Sequence, residues 1–270
     1  MVRKKSSTSA DPTAPKSSKG STNGRKKKGS PTSSGEPPAP LLTDPEREIL
    51  EHIGRYRISV RPVLTSLFFG GDKIRTQDAI ARLRDRGWIA NVKGGLPGGY
   101  SYYQLTAKGC TEAAFPLDRS RPLAATGLSK ALAVLWFATM NGKRRARLKE
   151  DAPPAGFPPT SGRAPHVGEA IGEGRARIVR IHIASETSDH ASPLKEIREA
   201  VEAMRATPEG REVIESGAYC FAILVHNEEK KERFTEAIKA YQQRHPLGAV
   251  IDVETAPTPG TFPLFVNRAH

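Results

Sequence analysis

The sequence predicts an α+β protein built from two unlike halves, and three observations carry that expectation. Between residues 43 and 112, apolar positions recur three times at helical spacing and then give way to two strand-like runs around a Gly/Pro-rich tip. From residue 176 onward, strand and helix patterns alternate, which is the order of an α/β layer with parallel pairs. The first 40 residues hold almost nothing that a core could bury. The expected organisation is a disordered basic tail at 1–40, a first domain at 41–114, a linker at 115–127, a connecting helix at 128–150 and an α/β domain at 151–270.

The tail contains nine Lys/Arg against Asp11 and Glu36, so +7 of the net +13 sits there. It reads either as a non-specific phosphate-binding arm or as a plain solubilising segment. The overall charge favours polyanions without choosing among them. Cys110 and Cys220 lie far apart with no CxxC or Cys/His spacing, so neither a disulfide framework nor a zinc site is expected. No apolar run approaches the roughly 18 residues of a membrane span, and the N-terminus lacks the apolar stretch of a secretion signal. A cytoplasmic protein with no membrane partner follows as the expectation.

Order begins at TDPE, where Thr43 and Glu46 form a capping box and Pro45 falls in the first turn. Ile49, Leu50, Ile53 and Tyr56 share one face of this first helix, which ends near Arg57. Ser59 is placed to cap a second helix carrying Val60, Val63, Leu64, Leu67 and Phe68, stopped by Gly70-Gly71. The third helix, Lys73 to Gly87, buries Ile80 and Leu83 with Ile74 or Ala79. That leaves Lys73, Arg75, Thr76, Gln77, Arg82, Arg84 and Arg86 towards solvent. Trp88 to Val92 and the tyrosine-rich YSYYQL then form a hairpin around the flexible tip KGGLPGG, and Thr106 opens a further helix.

Three short helices followed by a hairpin is the order of a winged helix-turn-helix, whose third helix enters the major groove of duplex DNA. Arginine and glutamine can bond base edges, while lysine and tyrosine hydroxyls can hold phosphates. The expected DNA contacts are Lys73, Arg75, Thr76, Gln77, Arg82 and Arg86 on the helix, with Lys93, Tyr100 and Tyr102 on the wing. Tyr102 and Tyr103 alternate across their strand, so at least one of them belongs to the core. The alternative is an ordinary solvated basic face, or a winged helix used for protein contacts.

The run LSKALAVLWFATM, residues 128–140, is apolar nearly all round and reads as a buried helix joining the halves. KRRARLK, 143–149, either complements that helix's dipole or adds a second DNA patch. Strands follow at 176–185, 218–226 and 249–253, separated by helices at 192–205 and after Asn227. GEAIGEG, 168–174, has the glycine content of a phosphate loop but lacks its GK[ST] ending and reads as a hairpin turn. No Walker loop, GxGxxG or Ser/His/Asp pattern appears, so no cofactor is expected. His182, Glu186 and His190, or Glu186, Asp189 and Glu196, could meet a metal, but surface charge is the simpler account and no metal site is expected.

With those residues in view, LTDPEREILEHIGRYRISV, LTSLFFGGD, AIARLRDRGWI and YYQLTAKG resemble the winged helix of the bacterial replication-relaxation family of plasmids and integrated mobile elements. The second half, IHIASETSDHASPLKEIREAVEAM followed by FAILVHNEEKKERFTEAI, is similar to the restriction-endonuclease-like domain that follows in that family. The resemblance implies an α+β chain, a winged helix and then an α/β nuclease-like domain. A working nuclease of that fold needs an acid in a PD pair, then an acid and a lysine two apart. Pro165-His166 and His182-Ile183-Ala184 stand at those places, so the domain is expected to be inactive.

The expected function is therefore non-enzymatic control of plasmid or mobile-element replication or transcription, through duplex DNA, in association with the nucleoid or plasmid. A homodimer and replication or transfer proteins are possible partners. The alternatives are a metal-dependent nuclease using Glu169, Glu173 or Glu186, and a protein-interaction adaptor.

Overall fold

In chain order the polypeptide makes α1 (Asp44–Tyr56), β1 (Ser59–Val60), α2 (Arg61–Phe69), α3 (Lys73–Asp85), β2 (Ile89–Val92), β3 (Tyr102–Leu105) and α4 (Ala107–Glu112). A short 3-10 helix, Leu117–Ser120, and α5 (Ala125–Thr139) follow. The second half adds β4 (Arg145–Arg147), β5 (His166–Gly172), β6 (Arg175–Ile183), α6 (Ala191–Arg205), α7 (Pro208–Glu215), β7 (Tyr219–Val225), α8 (Glu228–Arg244), β8 (Ile251–Thr255) and α9 (Phe262–Arg268). This computed structural model describes residues 42–140, 142–143, 145–148, 164–172, 174–185, 187 and 189–268, which fold as mixed α+β with two sheets. The basic tail expected at 1–40 lies outside the described residues. Among them, no helix is long and apolar enough to cross a membrane.

The Thr43 capping box forms as expected, and Ile49, Leu50, Ile53 and Tyr56 are all buried. Ser59 does not cap α2. It joins Val60 in β1, pairing antiparallel with Tyr103 and Tyr102 of β3, while its hydroxyl meets His52 Nε2 at 3.0 Å. The strand wins because β3 offers a ladder to β1, and α2 can start without a side-chain cap by placing Pro62 in its first turn, where no N–H is missed. Three residues, Gly70 to Asp72, separate α2 from α3. Gly70 takes the left-handed C-cap conformation (φ 56°), and the Asp72 carboxylate accepts from the backbone N–H of Ile74 and Arg75.

The first sheet has the order β1-β3-β2. The tip between β2 and β3 is less free than its glycines imply: Leu96 is 5% exposed and belongs to the same buried cluster as Tyr102 and Leu128. The LTAKG stretch at the exit of β3 is a clasp. Thr106 Oγ1 donates to Gly87 O at 2.6 Å and accepts from Gly109 N, and Lys108 Nζ donates to Arg86 O at 2.8 Å. A Cβ on Gly109 would lie 1.9 Å from Trp88 O, so only glycine lets α4 settle on the end of β2.

The segment 115–127 packs rather than trails. Phe115 fills the space over Gly54 of α1, and Gln104 Nε2 donates to Arg119 O at 3.0 Å. Helix α5 is buried on most of its surface and forms one cluster with residues from both halves. Ile58, Val63, Leu96 and Tyr102 meet it from one side, and Val167, Val179, Ile181 and Phe262 from the other. Each such apolar side chain contributes about 1.5–3 kcal/mol when fully removed from water.

The second sheet has the order β4-β5-β6-β7-β8, with β4, β5 and β6 antiparallel and β6, β7 and β8 parallel. The parallel pairs agree with the alternating pattern, and β7 is buried along its whole length. Helices α6 and α8 pack on one face through Ile197, Val201, Phe234 and Ile238, while α5 lies against the other. Among the described residues of the run at 143–149, Lys143 is exposed and the two arginines are withdrawn into the second sheet. Arg145 and Arg147 stand on β4, and Arg145 is enclosed by carboxylates; Arg144 and Lys149 lie outside the described residues.

Candidate functional site

Helix α3 presents its side chains in three stripes, because successive residues turn by about 100°. Thr76, Ala79, Ile80 and Leu83 form the buried stripe. Thr76 is fully buried and its hydroxyl donates to Asp72 O at 2.6 Å, so the expected contact at this position is corrected to a helix-start bond. Ile74 moves the other way: it is 75% exposed, because its place in the first turn falls opposite Leu83. The outward crest reads Ile74, Asp78, Ala81, Asp85. Lys73, Gln77 and Arg84 lie exposed on one flank, and exposed Arg75 and Arg82 on the other.

The cations on the second flank are not equivalent. Arg82 Nε donates to Glu46 Oε1 at 2.6 Å, and Glu46 is 1% exposed. Burial alone would raise the Glu46 carboxyl, but the Arg82 and Thr43 hydrogen bonds and the Arg82 charge outweigh it and hold the group below its usual range. Arg82 thus pins α3 to the start of α1 while remaining half exposed. Arg75 lies over the edge of Phe69, 5.9 Å from its centroid. Arg86 caps the far end of α3 and stacks on Trp88 at 4.9 Å, so it is only partly exposed.

On the hairpin, Lys93 is exposed. Tyr102 is 4% exposed and Tyr103 2%, so both belong to the core and the expected Tyr102 contact is corrected. Burial pushes the Tyr102 phenol up. The β3 strand is covered on one face by α1 and on the other by α5, which is why alternation places neither ring in water. Tyr100 is half-buried, its ring edge-on to Phe262 at 5.9 Å. Of the nine expected contacts, the structure gathers Lys73, Arg75, Gln77 and Arg82 on α3 and leaves Lys93 open on the hairpin.

A second cluster lies on the α6 side of the second sheet, where strand alternation and the His166↔Arg180 pairing bring together His166, Arg180 and His182 beside Tyr219. His166 Nε2 meets Tyr219 Oη at 2.9 Å, and His182 Nδ1 meets Glu196 Oε2 at 3.2 Å. Burial, then the Arg180 charge, lowers both histidines to about 4, and burial raises Tyr219 to about 12. Strand alternation puts Arg180 and His182 on one face, as their two-residue spacing predicts, while sequence reasoning missed Tyr219 and the Glu196 bond beside them. Glu169 points to the opposite face, held by Arg177 at 2.8 Å and Arg145 at 3.2 Å. Glu173 and Glu186 lie outside the described residues, and Asp189 caps α6 through Ala191 N and Ser192 N. Among the described residues, no three His, Cys, Asp or Glu side chains gather as a metal ion would need.

Compared with family models, curated proteins and solved structures, the chain matched none.

Proposed function

We propose that the chain is a non-enzymatic DNA-binding protein in which α1, α2, α3 and the β2–β3 hairpin act as a winged helix on duplex DNA. One observation carries the reading: α3 follows α2 through a three-residue turn and exposes cations on both flanks of its outward stripe. Flanking cations fit the two phosphate ridges that border a groove, while Gln77 and the crest face base edges. Aspartates suit such a crest where they accept from a cytosine amino group. Lys93 on the hairpin supplies a further phosphate contact.

The second half is read as a nuclease-like layer without nuclease chemistry. Its mixed sheet is flanked by helices; on the resemblance, His166 and His182 stand where that fold has its acids, and buried Ala184 where it has its lysine. Taken with the resemblance to the replication-relaxation family, this supports a role in replication or transcription control on plasmids or mobile elements, inside the cell. A homodimer on a two-fold target and contacts with replication or transfer proteins fit the same role.

Fluorescence anisotropy with random duplex DNA tests the reading. Binding should weaken steeply with salt, by a slope of about 0.9 per phosphate neutralised, and weaken further in Lys73→Ala and Arg75→Ala. Binding that is indifferent to salt and to both substitutions would sink it. A second reading, a protein-docking adaptor, is favoured by one feature, the exposed Ile74 that heads the crest ahead of its acids and alanine. It predicts that Ile74→Ser and Asp78→Ala abolish capture of a protein partner while leaving DNA affinity intact.

A further inference from the structure

The hairpin tip, which its composition marks as flexible, is held from below and from the side. Leu96 is buried in the α5 cluster, and a Cβ on Gly95 would stand 2.8 Å from the Tyr102 ring and 3.3 Å from Leu128. The tip therefore lies directly on α5. From the side, the chain leaving β8 turns back through a reciprocal pair: Thr258 N–H donates to Thr261 Oγ1 at 3.0 Å, and Thr261 N–H to Thr258 Oγ1 at 3.2 Å. That turn launches α9. Its first residue, Phe262, is 1% exposed and receives the Tyr100 ring edge-on, at 89° between planes. Phe265 of α9 packs edge-on against Trp136 of α5, 5.0 Å between centroids. The start of α9 is thus wedged between α5 and the hairpin tip.

We propose that α9 is a positioning element for the nucleic-acid surface, with Phe262 and Tyr100 fixing the tip that bears Lys93. This inference rests on the proposed DNA binding and adds its control: the C-terminal segment sets how well the hairpin engages phosphate. A nine-residue tip free in solution would have to be ordered at each binding event, which costs affinity. Seated on α5 and braced by α9, it meets DNA already ordered. Tyr100 acts through its ring, and its hydroxyl is dispensable. This differs from the sequence expectation, in which the Tyr100 hydroxyl touches phosphate.

The test uses the full chain. Wild type, Lys93→Ala, Tyr100→Phe, Tyr100→Leu, Phe262→Ala and the Lys93→Ala/Tyr100→Leu pair are titrated with duplex DNA at several salt concentrations. Amide exchange of residues 94–101 is followed in parallel. Tyr100→Leu should speed that exchange, weaken binding about three- to tenfold and lower the salt slope by about 0.9, as Lys93→Ala does. Tyr100→Phe should match wild type, and the double variant should bind no more weakly than Lys93→Ala alone. If Phe262→Ala does not fold, the Tyr100 pair carries the test. Tyr100→Phe as weak as Tyr100→Leu, or an unchanged slope in Tyr100→Leu, overturns the inference while the proposed function stands. A wild type with no salt-dependent DNA binding overturns both.

Discussion

Arg75 and Arg82 sit on the same flank of α3, two turns apart, and look interchangeable in sequence, yet their replacement by alanine should separate binding from stability. Arg75→Ala removes an exposed side chain that, among the described residues, stacks distantly on Phe69, so stability should change by no more than about 0.5 kcal/mol. DNA affinity should fall, and the penalty should shrink by about three- to fourfold between 50 and 200 mM salt if one phosphate contact is lost. Arg82→Ala also strips the 2.6 Å bond from Glu46, a carboxylate that is almost wholly buried. A hydrogen bond to a charged group contributes about 1.5–3 kcal/mol, reduced here because Arg82 is half exposed, so about 1–2 kcal/mol is expected. For a chain of this size that lowers Tm by about 2–8 °C.

The same pair has a pH signature. Glu46 is held below its usual range in the folded state, so its contribution is complete above the unfolded value of 4.5 and is lost as pH falls through the lower folded value. Arg82→Ala should flatten the stability curve in that acid window, an effect Arg75→Ala lacks. Thermal melts and DNA titrations on both variants at pH 3 to 7 supply the measurement. Equal Tm for Arg82→Ala and wild type would refute the latch between α3 and α1, and unchanged DNA affinity in Arg75→Ala would refute the flank as a contact.

The Arg145 side chain is 1% exposed and meets Glu169, Glu254 and the face of Phe137, so Arg145→Ala should cost about 3–5 kcal/mol in urea unfolding, whereas loss of under 1 kcal/mol would mean that the network adds little. Gly109→Ala should destabilise by about 1–3 kcal/mol or more, since the added methyl has only the fixed Trp88 carbonyl to displace; a normal Tm would show that α4 can slide. His166 and His182 are held neutral down to about 4 by burial, so stability is complete above the unfolded value near 6.5 and declines as pH falls from there towards 4. His182→Gln should remove part of that decline, and a profile unchanged between pH 6.5 and 4 would argue that the two rings are hydrated.

Helix positions were legible wherever an apolar stripe and a cap coincided, as in α1, α6 and α8, because local spacing and tertiary burial agree there. They parted where a residue's role depended on what covers it. Tyr102 and Thr76 have contact chemistry, but α5 overlies one and the start of α3 consumes the other, and no neighbouring residue type announces either fact. Strand β4 was hidden for a related reason: RAR reads as surface charge until Glu169 and Glu254, distant in sequence, are placed beside it. Helix α7 was simply missed. Thr207 caps it through Gly210 N, and Pro208 opens it, a signal of the same kind that located α1. For the candidate site, the basic flanks of α3 were visible from composition, and the acidic crest between them was not drawn out until the helix was placed.

The sharing of α5 between the two halves makes them one cooperative unit. A fragment ending at residue 114 would turn Ile58, Val63, Leu96 and Tyr102 towards water, with no helix to replace Leu132, Leu135 and Phe137. It would aggregate or melt early, so the first half is not a transplantable module despite its familiar order of elements. Heating the intact chain should dissolve the α3 surface and the distant five-stranded sheet in one transition. A substitution beneath β7 would then be felt as lost order at α3, without any route of communication beyond shared melting.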